Sequence, residues 1–441
     1  MMRNNPPLTQ FKETEIGQLP SDWNVAAIKN CVTFSRKPKS LNLSQFELIP
    51  FVPMELISEQ GIYANQFELR SPTEINSGNY CERGDLLVAK ITPSFENGKQ
   101  GILIDIPLDF AYATTEIYAL KPIPEVLNPI FLFGYLKIQD IRMDIAGKME
   151  GTTGRQRVPK SIIENWMIPL PPLPEQRRIA AVLKVIQEEI SAQEDIVSEM
   201  REFKRSTMAH LFTFGIYKSP VELVETEIGK FPSHWKFYPI GQLVDIKYGY
   251  QTSIPKAALS TGVDIISTAE IKNEGYLDLT RIRKIDIDLS SVEQYLIRKN
   301  DILFNWRNAQ EHVGKTALVD VELSEPTIFA SFILRLRPVQ HVSYNFVHYL
   351  LSFLRNQGVF FRLSRRAVNQ ANFNANQLSN LVVPVPSPED QDAITELLKD
   401  IDEKIAAEED RKAALQELFR SLLHQLMTGQ IRLLSDEGLP L

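Results

Sequence analysis

Apolar residues recur at alternating steps of three and four in two long segments, one in the middle of the chain and one near its end. A repeat that averages 3.5 residues over about four heptads is typical of a helix that packs along a seam against another helix. Polar residues that fall on the same seam, such as Gln193, Lys204 and Glu408, are expected to set the register or to face a partner. The predicted apolar seam positions are Leu183, Ile186, Ile190, Val197, Met200 and Leu211 in the first helix and Leu398, Ile401, Ile405, Leu415, Phe419, Leu422 and Leu426 in the second.

The ends of both helices are also marked in the sequence. Ser387 and Pro388 supply an N-cap and a proline at the first helical position. Gly215 and Gly429 stand where each helix is expected to stop. We predict that the two helices pack antiparallel as a coiled coil; the alternative is two independent helices, each packed on its own domain.

The segments before each long helix have a mixed pattern. Helical periodicity marks residues 128–139 and 344–357, and turn-rich loops separate the remaining apolar runs. This mixture predicts an α+β domain of about 170 residues before each long helix. The runs that predict strands are residues 85–91, 101–106, 116–122, 301–306, 316–321 and 332–338.

The chain repeats itself at an offset of 212 to 216 residues. Residues 168–183, IPLPPLPEQRRIAAVL, align without a gap on residues 383–398, VPVPSPEDQDAITELL, and TEIGQLPSDW from Thr14 returns as TEIGKFPSHW from Thr226. A repeat unit of this length indicates two duplicated domains rather than a solenoid, and internal pseudo-twofold symmetry. The predicted division is residues 1–174 for the first domain, 175–214 for the first helix, 215–387 for the second domain and 388–441 for the second helix and C-terminal tail.

Composition places the chain among ordinary globular proteins, with 44% hydrophobic and 23% charged residues. Cys31 and Cys81 form neither a disulfide framework nor a zinc-site spacing, which fits a reducing compartment. The N-terminus has no apolar signal region, and no run approaches the ~18 apolar residues of a membrane span. We therefore expect a cytoplasmic protein.

The net charge of −7 does not exclude nucleic acid as a partner. Residues 175–212 carry 7 acidic and 6 basic groups, and residues 388–427 carry 11 and 5, so the excess acid lies on the helices. Local basic clusters remain in the domains, such as Arg155, Arg157 and Lys160. Binding to nucleic acid needs only a local positive patch, although the more ordinary interpretation of any one cluster taken alone is a solvated surface.

No motif of a catalyst or a metal site is present. The histidines are scattered without ligand spacing, so no metal site is predicted. The segment from Ala309 to Thr316 approaches a Walker A loop, but the following TALVDVEL predicts a strand where a phosphate-binding loop needs a helix. The residues therefore favour a recognition protein over an enzyme.

The chain resembles the specificity subunit of type I restriction-modification systems. The resemblance is carried by PLPPLPEQRRIA from Pro169, TTGRQRVP from Thr152, RGDLLVAKITPSFENGK from Arg83 and the duplicated layout. The second copy departs from the motif, reading PSPEDQDAI, but Gln391 still matches Gln176. Nearly the whole chain is covered.

This resemblance implies a non-catalytic DNA-recognition subunit. Each target-recognition domain would read one half of a bipartite DNA sequence, and the helices would set the spacing and dock two methyltransferase subunits. A restriction subunit with translocase activity would join the assembly. S-adenosylmethionine and ATP would then be bound by those partners, and no cofactor by this chain.

Two pairs of polar segments are the candidate DNA-binding residues, because their side chains can pair with base edges or phosphates. The copies differ at Lys90 against Trp306 and at Ile91 against Arg307, so we expect the two domains to read different half-sites. The candidates are Lys90, Thr92, Ser94, Asn97, Arg155, Gln156 and Arg157 in the first copy and Asn305, Arg307, Asn308, Arg365, Arg366, Asn369 and Gln370 in the second.

Two alternatives remain open from the sequence. One is a coiled-coil scaffold that assembles proteins without touching DNA, which a DNA-binding assay in the presence of the methyltransferase subunit would distinguish. The other is a duplicated enzyme with an unrecognised site, which the missing catalytic motifs disfavour. For the candidate residues themselves, the alternative is that they are ordinary polar residues of surface loops.

Overall fold

The computed structural model describes residues 10–75, 77–152, 154–217, 221–252, 261–339, 342–367 and 370–435, without the side chains of residues 281, 365–367 and 370. The chain forms two compact units. The first comprises residues 1–196 and 408–441, and the second comprises residues 197–407. Each long helix is therefore divided between the units, whereas the sequence-based division assigned each helix to a segment of its own.

The first unit is an α+β unit that contains the start of the first long helix. Its helices are α1 (Ile28–Cys31), α2 (Pro129–Lys137), α3 (Gln139–Ala146), α4 (Lys160–Asn165) and α5 (Leu173–Phe214), which continues into the second unit. Its strands are β1 (Phe11–Thr14), β2 (Gly17–Pro20), β3 (Asn24–Ala27), β4 (Val32–Phe34), β5 (Ile49–Val52), β6 (Tyr63–Ala64), β7 (Glu68–Arg70), β8 (Asn79–Glu82), β9 (Leu86–Ala89), β10 (Gln100–Leu103), β11 (Phe110–Ala113), β12 (Ile117–Pro122), β13 (Glu150–Thr152), β14 (Arg155–Arg157) and β15 (Met167–Leu170).

The second unit has the same alternation of short strands and helices. Its helices are α6 (Ile240–Leu243), α7 (Leu289–Val292), α8 (Tyr344–Asn356), α9 (Val359–Leu363), α10 (Ala375–Asn380) and α11 (Pro388–Met427), which continues into the first unit. Its strands are β16 (Leu223–Thr226), β17 (Gly229–Pro232), β18 (Lys236–Pro239), β19 (Val244–Tyr248), β20 (Val263–Ile266), β21 (Arg283–Ile285), β22 (Ile302–Asn305), β23 (Arg307–Asn308), β24 (Thr316–Leu318), β25 (Thr327–Phe329), β26 (Ile333–Pro338), β27 (Arg365–Ala367), β28 (Gln370–Asn372) and β29 (Val382–Val385).

The central sheets of the two units share one order over four strands. It is β4-β12-β9-β10 in the first unit, where β6 adds a fifth strand beside β10, and β19-β26-β22-β24 in the second. A second sheet, β7-β5-β11-β8 or β21-β20-β25, contains a parallel pair in each unit. The predicted strands and the helices α2 and α8 are confirmed, and so is the duplicated α+β class.

The glutamine of the repeated proline-rich motif fixes the start of α2 and of α8. Gln176 is fully buried, accepts a hydrogen bond from the Asn128 N–H at 2.9 Å through Oε1, and donates from Nε2 to the Val126 carbonyl at 3.0 Å. Its counterpart Gln391 accepts from the Ser343 N–H at 3.2 Å. Since a buried amide left without partners is costly, this residue ties each long helix to its domain.

Each half of the long helices shares a hydrophobic core with its own unit. In the first unit, Leu183 of α5 and Met427 of α11 pack so closely on α2 that a Cβ added at Gly134 would lie 3.0 Å from Leu183 Cδ1 and 2.5 Å from Met427 Cε. In the second unit, Phe212 of α5 stacks on Phe353 of α8 with ring centroids 5.0 Å apart. This sharing explains why the unit boundary crosses both helices.

The two long helices pack against each other and run antiparallel. In the first unit, Glu189 pairs with Arg411 at 3.4 Å, whereas Gln193, one turn later, pairs with Glu408, one turn earlier. All of the predicted apolar seam residues are buried or partly buried. Gly215 and Gly429 follow the helices in the left-handed conformation, with φ of 74° and 69°, as expected of helix-ending glycines. Among the described helices, none combines the length and the apolar character that crossing a lipid bilayer requires.

Polar seam residues are paired inside the helix contact. The Gln193 side chain, 1% exposed, donates from Nε2 to Glu408 Oε2 at 2.6 Å and to the Glu408 carbonyl at 3.2 Å. In the second unit, Lys204 Nζ lies 2.5 Å from Asp402 Oδ1. Each of these pairs can form in only one alignment of the two helices, which is how polar seam residues are expected to set the register.

Two half-chain fragments should differ in their ability to dimerise. Gln193 and Glu408 are repeat counterparts at the offset of 215, so a dimer of residues 1–216 would place Gln193 against Gln193, and a dimer of residues 217–441 would place Glu408 against Glu408. Two partly buried carboxylates repel, whereas two amides can hydrogen-bond. By analytical ultracentrifugation at neutral pH, we expect the first fragment to dimerise at least about tenfold more tightly, about 1.4 kcal/mol.

The matched control is Glu408→Gln in the second fragment, which restores an amide pair and should restore dimerisation. Equal dimerisation of the two unmodified fragments would show that the Gln193–Glu408 pair does not select the partner helix.

Candidate nucleic-acid interface

In the first unit, the two predicted polar segments come together at one end of the central sheet. The hairpin β13–β14 lies beside the segment that leaves β9. The Thr92 N–H donates to the Gln156 carbonyl at 3.0 Å, and the Val158 N–H donates to the Lys90 carbonyl at 2.8 Å. We call residues 90–97 together with β13–β14 the first interface. No side chain of this hairpin, in the part the structure describes, is buried, so the core does not require it.

The first interface has a formal charge of +1, from Lys90, Arg155 and Arg157 against Glu96 and Glu150. Arg155 and Arg157 are exposed, and neither has an ion-pair partner among the described residues. Lys90 Nζ lies 4.9 Å from the centroid of the Tyr118 ring, and its pKa is lowered by burial and then by the charge of Arg157. An anion placed here would stabilise the charged form of Lys90. Phosphate oxygens and guanine edges are the parts of DNA that such cations bind.

The remaining predicted residues of the first interface are held by their own chain. Thr92 Oγ1 donates to Glu96 Oε1 at 2.8 Å, and Asn97 Nδ2 donates to Glu59 Oε1 at 3.2 Å. Ser94 is partly buried, and its carbonyl accepts from the Lys99 N–H at 2.9 Å. This loop is therefore held in place by hydrogen bonds. Its Thr92 and Asn97 side chains would have to exchange these hydrogen bonds for new ones in order to contact bases.

The second unit builds the corresponding surface from three short strands in the order β23-β28-β27, which we call the second interface. Arg307 pairs with Asn372 in register, and the Phe373 N–H donates to the Trp306 carbonyl at 2.8 Å. Arg307 is exposed, and Asn308 is partly buried with Oδ1 accepting from the Ala309 N–H at 2.8 Å. Of the other predicted residues, Arg365, Arg366 and Gln370 have described backbones but undescribed side chains, and Asn369 lies outside the described residues.

Asn305 does not belong to the exposed interface. Its side chain is fully buried at the end of β22, and neither of its amide atoms has a hydrogen-bond partner in the described chain. Side chains alternate between the two faces of a strand, and the sequence alone did not show which face of β22 the rest of the unit would cover. We therefore remove Asn305 from the set of side chains that can reach DNA in this conformation.

The structure adds residues to the first interface that the candidate set lacks. Lys160 Nζ lies 4.0 Å from the centroid of the Phe34 ring, and the Tyr118 hydroxyl donates to the Val158 carbonyl at 2.8 Å. These contacts join strand ends that are far apart in sequence. The available signal was the position of Lys160 in the basic cluster with Arg155 and Arg157.

Among the described residues, no group of three or more His, Cys, Asp and Glu side chains could hold a metal ion. The segment that approaches a Walker A loop continues from Lys315 directly into strand β24, as predicted. A helix N-terminus that could cradle a phosphate does not follow it. The interfaces offer hydrogen-bond donors, positive charge and apolar surface.

Two repeated α+β units, each presenting short polar strands at an end of its central sheet, define a duplicated two-domain protein. Residues 20–199 and 232–417 match the family model described as the type I restriction modification DNA specificity domain. The chain belongs to this family.

Related proteins include the specificity subunit of the type I restriction enzyme EcoAI of Escherichia coli, 31% identical over 181 residues, which cover 40% of this chain and 30% of that one. The MjaVIII specificity subunit of Methanocaldococcus jannaschii is 24% identical over 439 residues, with 96% of both chains covered. A solved chain from work on the complex assembly and conformational transition of the type I R-M system has a TM-score of 0.56 at 19% identity, covering 94% of this chain and 99% of that one, and it supports the fold.

The predicted function class is confirmed by this membership. The chain is the DNA specificity subunit of a type I restriction-modification system, with duplicated target-recognition domains. It is a non-catalytic component, and S-adenosylmethionine and ATP are used by partner subunits.

Proposed function

We propose that each unit reads one half of a bipartite DNA sequence through its interface. The observation that carries this proposal is the same in both units: a short hairpin, β13–β14 or β27–β28, pairs with the segment that leaves β9 or β22, the third strand in the order of the central sheet. The residues at these matching places differ, with Lys90 in one unit and Trp306 in the other. Different side chains on one scaffold suit two different half-sites.

The long helices act in this proposal as the spacer between half-sites. Helix α5 has 42 residues and α11 has 40, about 60 Å each at 1.5 Å per residue. The length of a helix is fixed by its residue count, and the paired polar seam residues fix its alignment. Such a spacer suits half-sites about one turn of DNA apart, on the order of 34 Å.

The helices also carry repeated apolar positions that suit two copies of one partner. Phe203 of α5 is 60% exposed in the second unit, and Leu418 of α11 is 48% exposed in the first. These residues are repeat counterparts at the offset of 215. We propose that they contribute to docking two methyltransferase subunits, that restriction and translocase subunits join this complex, and that the assembly acts on DNA in the cytoplasm.

The chain alone is expected to transfer no methyl group to DNA. With the methyltransferase subunit of its system, transfer from labelled S-adenosylmethionine should appear at one bipartite sequence. Robust transfer by the chain alone would contradict the proposal.

A double variant, Phe203→Asp with Leu418→Asp, tests the docking sites in the same assay. Because both side chains are exposed, the variant should fold, and circular dichroism checks this directly. We expect loss of binding to the methyltransferase subunit and loss of methyl transfer. Unchanged assembly of the double variant would place the docking surfaces elsewhere.

A further inference from the structure

An exposed cluster of aromatic rings lies at the edge of the second interface. The Trp306 ring packs edge-on against Tyr248 at 5.3 Å and against Phe332 at 6.4 Å between ring centroids. Tyr248 and Phe332 are each 43% exposed, and Trp306 is partly buried. We call these three residues the aromatic cluster. Together its rings expose an apolar patch at the end of a strand, where a surface that contacts only water is usually polar.

The polar atoms of the aromatic cluster are engaged with their own unit. Trp306 Nε1 donates to the Ser331 carbonyl at 2.8 Å, and the Tyr248 hydroxyl accepts from the Ala375 N–H at 3.1 Å. These bonds orient both rings and leave hydrocarbon as the main exposed surface. Phe332 has no polar atom in its side chain, so its exposed face can make only apolar contacts.

The fold does not require aromatic residues at these positions. The Trp306 N–H donates to the Phe332 carbonyl at 3.2 Å, and in the first unit the Lys90 N–H donates to the Glu116 carbonyl at 3.0 Å. Lys90 and Glu116 are therefore the structural counterparts of Trp306 and Phe332. One backbone arrangement thus carries two charged residues in the first unit and two aromatic residues in the second. The aromatic cluster is a property of this unit's ligand surface and not of the shared scaffold.

A basic residue adjoins the aromatic cluster. The Arg307 guanidinium lies 5.1 Å from the centroid of the Phe332 ring, and Arg307 belongs to the second interface through strand β23. An apolar face with a cationic neighbour matches a ligand that combines hydrocarbon with negative charge. Double-stranded DNA meets this description at a thymine, whose 5-methyl group is exposed in the major groove between the phosphate backbones.

We infer that Phe332, held by Trp306, contacts the 5-methyl group of a thymine in the half-site read by the second unit. The inference rests on the proposed function and extends it to one base. Among the groups that intact base pairs present in the grooves, the thymine methyl is the hydrocarbon one. An apolar side chain at the reading surface therefore selects thymine, while Arg307 binds a neighbouring phosphate or guanine.

The experiment begins with the target sequence, obtained by mapping methylated sites with the assembled complex. Each thymine of the second half-site is then replaced singly by deoxyuridine, which removes only the methyl group. For the wild-type complex, one replacement should weaken binding three- to fivefold, since burying one such group contributes about 0.8 kcal/mol. For Phe332→Ala, the same replacement should have no further effect. Phe332→Leu, which keeps an apolar side chain, should retain part of the discrimination.

Phe11→Ala is the matched control, because this phenyl ring on β1 of the first unit is 47% exposed. That variant should keep the full deoxyuridine effect. A second half-site without thymine, or a deoxyuridine effect of the same size in wild type and Phe332→Ala, would overturn the inference. An increase in 2-aminopurine fluorescence beside the site that depends on Phe332, without a deoxyuridine effect, would overturn it in favour of a ring wedged between bases. Absence of any sequence-specific binding by the wild-type complex would overturn the proposed function itself.

Discussion

Replacing Arg432 with methionine is expected to lower the free energy of unfolding of the first unit by about 3 to 5 kcal/mol. The Arg432 guanidinium donates to both oxygens of Glu175, at 2.7 and 2.8 Å, and to both oxygens of Asp22, at 3.0 and 2.7 Å. The Glu175 side chain is only 1% exposed and also accepts from Trp23 Nε1 at 3.0 Å. Without Arg432, a buried carboxylate at the start of α5 would lose its cation.

Chemical denaturation of the wild type and the variant measures this effect through the transition of the first unit. The control is Arg411→Met, which removes an ion pair to Glu189 at 3.4 Å whose side chains are 60% and 52% exposed. An exposed pair contributes at most about 1 kcal/mol. Equal decreases in stability in the two variants would show that burial of Glu175 does not determine the effect.

The ion pair between Arg432 and Asp22 gives the first unit a dependence on acid. The hydrogen bond from Arg432 lowers the pKa of Asp22 below its usual value. A carboxyl group whose pKa is lower in the folded state contributes stability above its unfolded pKa of about 3.9, and this contribution is lost as the pH falls through the lowered pKa. The variant Arg432→Met should lack this part of the acid sensitivity below about pH 4.

Replacing both Arg155 and Arg157 with alanine should weaken DNA binding by the assembled complex by about 1 to 3 kcal/mol for each specific interaction that is removed. Both side chains are exposed, and none of the described residues of their hairpin is buried, so the fold should be retained. If the arginines bind phosphates, the slope of log affinity against log salt should also fall by about 0.9 for each phosphate that is no longer neutralised.

The measurement is a binding titration at several salt concentrations, with Lys12→Ala as the control. Lys12 is an exposed cation of the same unit on β1, away from the hairpin in the chain. Its removal should leave affinity and slope nearly unchanged. Unaltered binding by the double arginine variant would show that Arg155 and Arg157 are ordinary solvated surface residues that do not contact DNA.

The sequence could predict the elements whose pattern is periodic or repeated. The helix pair follows from apolar steps such as Leu183, Ile186 and Ile190, because burial of a helix face imposes that spacing whatever the surroundings. The strands β9, β12, β22 and β26 follow from short apolar runs. The family followed from Gln176 and its neighbours, whose buried hydrogen bonds explain why a glutamine stands there in both copies.

The sequence pattern could not predict contacts between segments that are distant in the chain. The pairing of residues 90–92 with the β13–β14 hairpin depends on how the sheet and the hairpin meet, so the two polar segments were predicted separately. Burial of Asn305 depends on which face of β22 is covered. The Arg432 pairs with Glu175 and Asp22 join residues more than 250 positions apart, and no local pattern marks them.

Each unit is expected to read its own half of the DNA target. Methylated sites should be mapped by sequencing for three assembled complexes: wild type, the Arg155→Ala and Arg157→Ala double variant, and Trp306→Ala with Arg307→Ala. We predict that the first double variant relaxes only one half-site, that the second relaxes only the other, and that the spacing stays constant. Relaxation of both half-sites by either double variant, or of the same half-site by both, would contradict separate reading of the two half-sites by the two units.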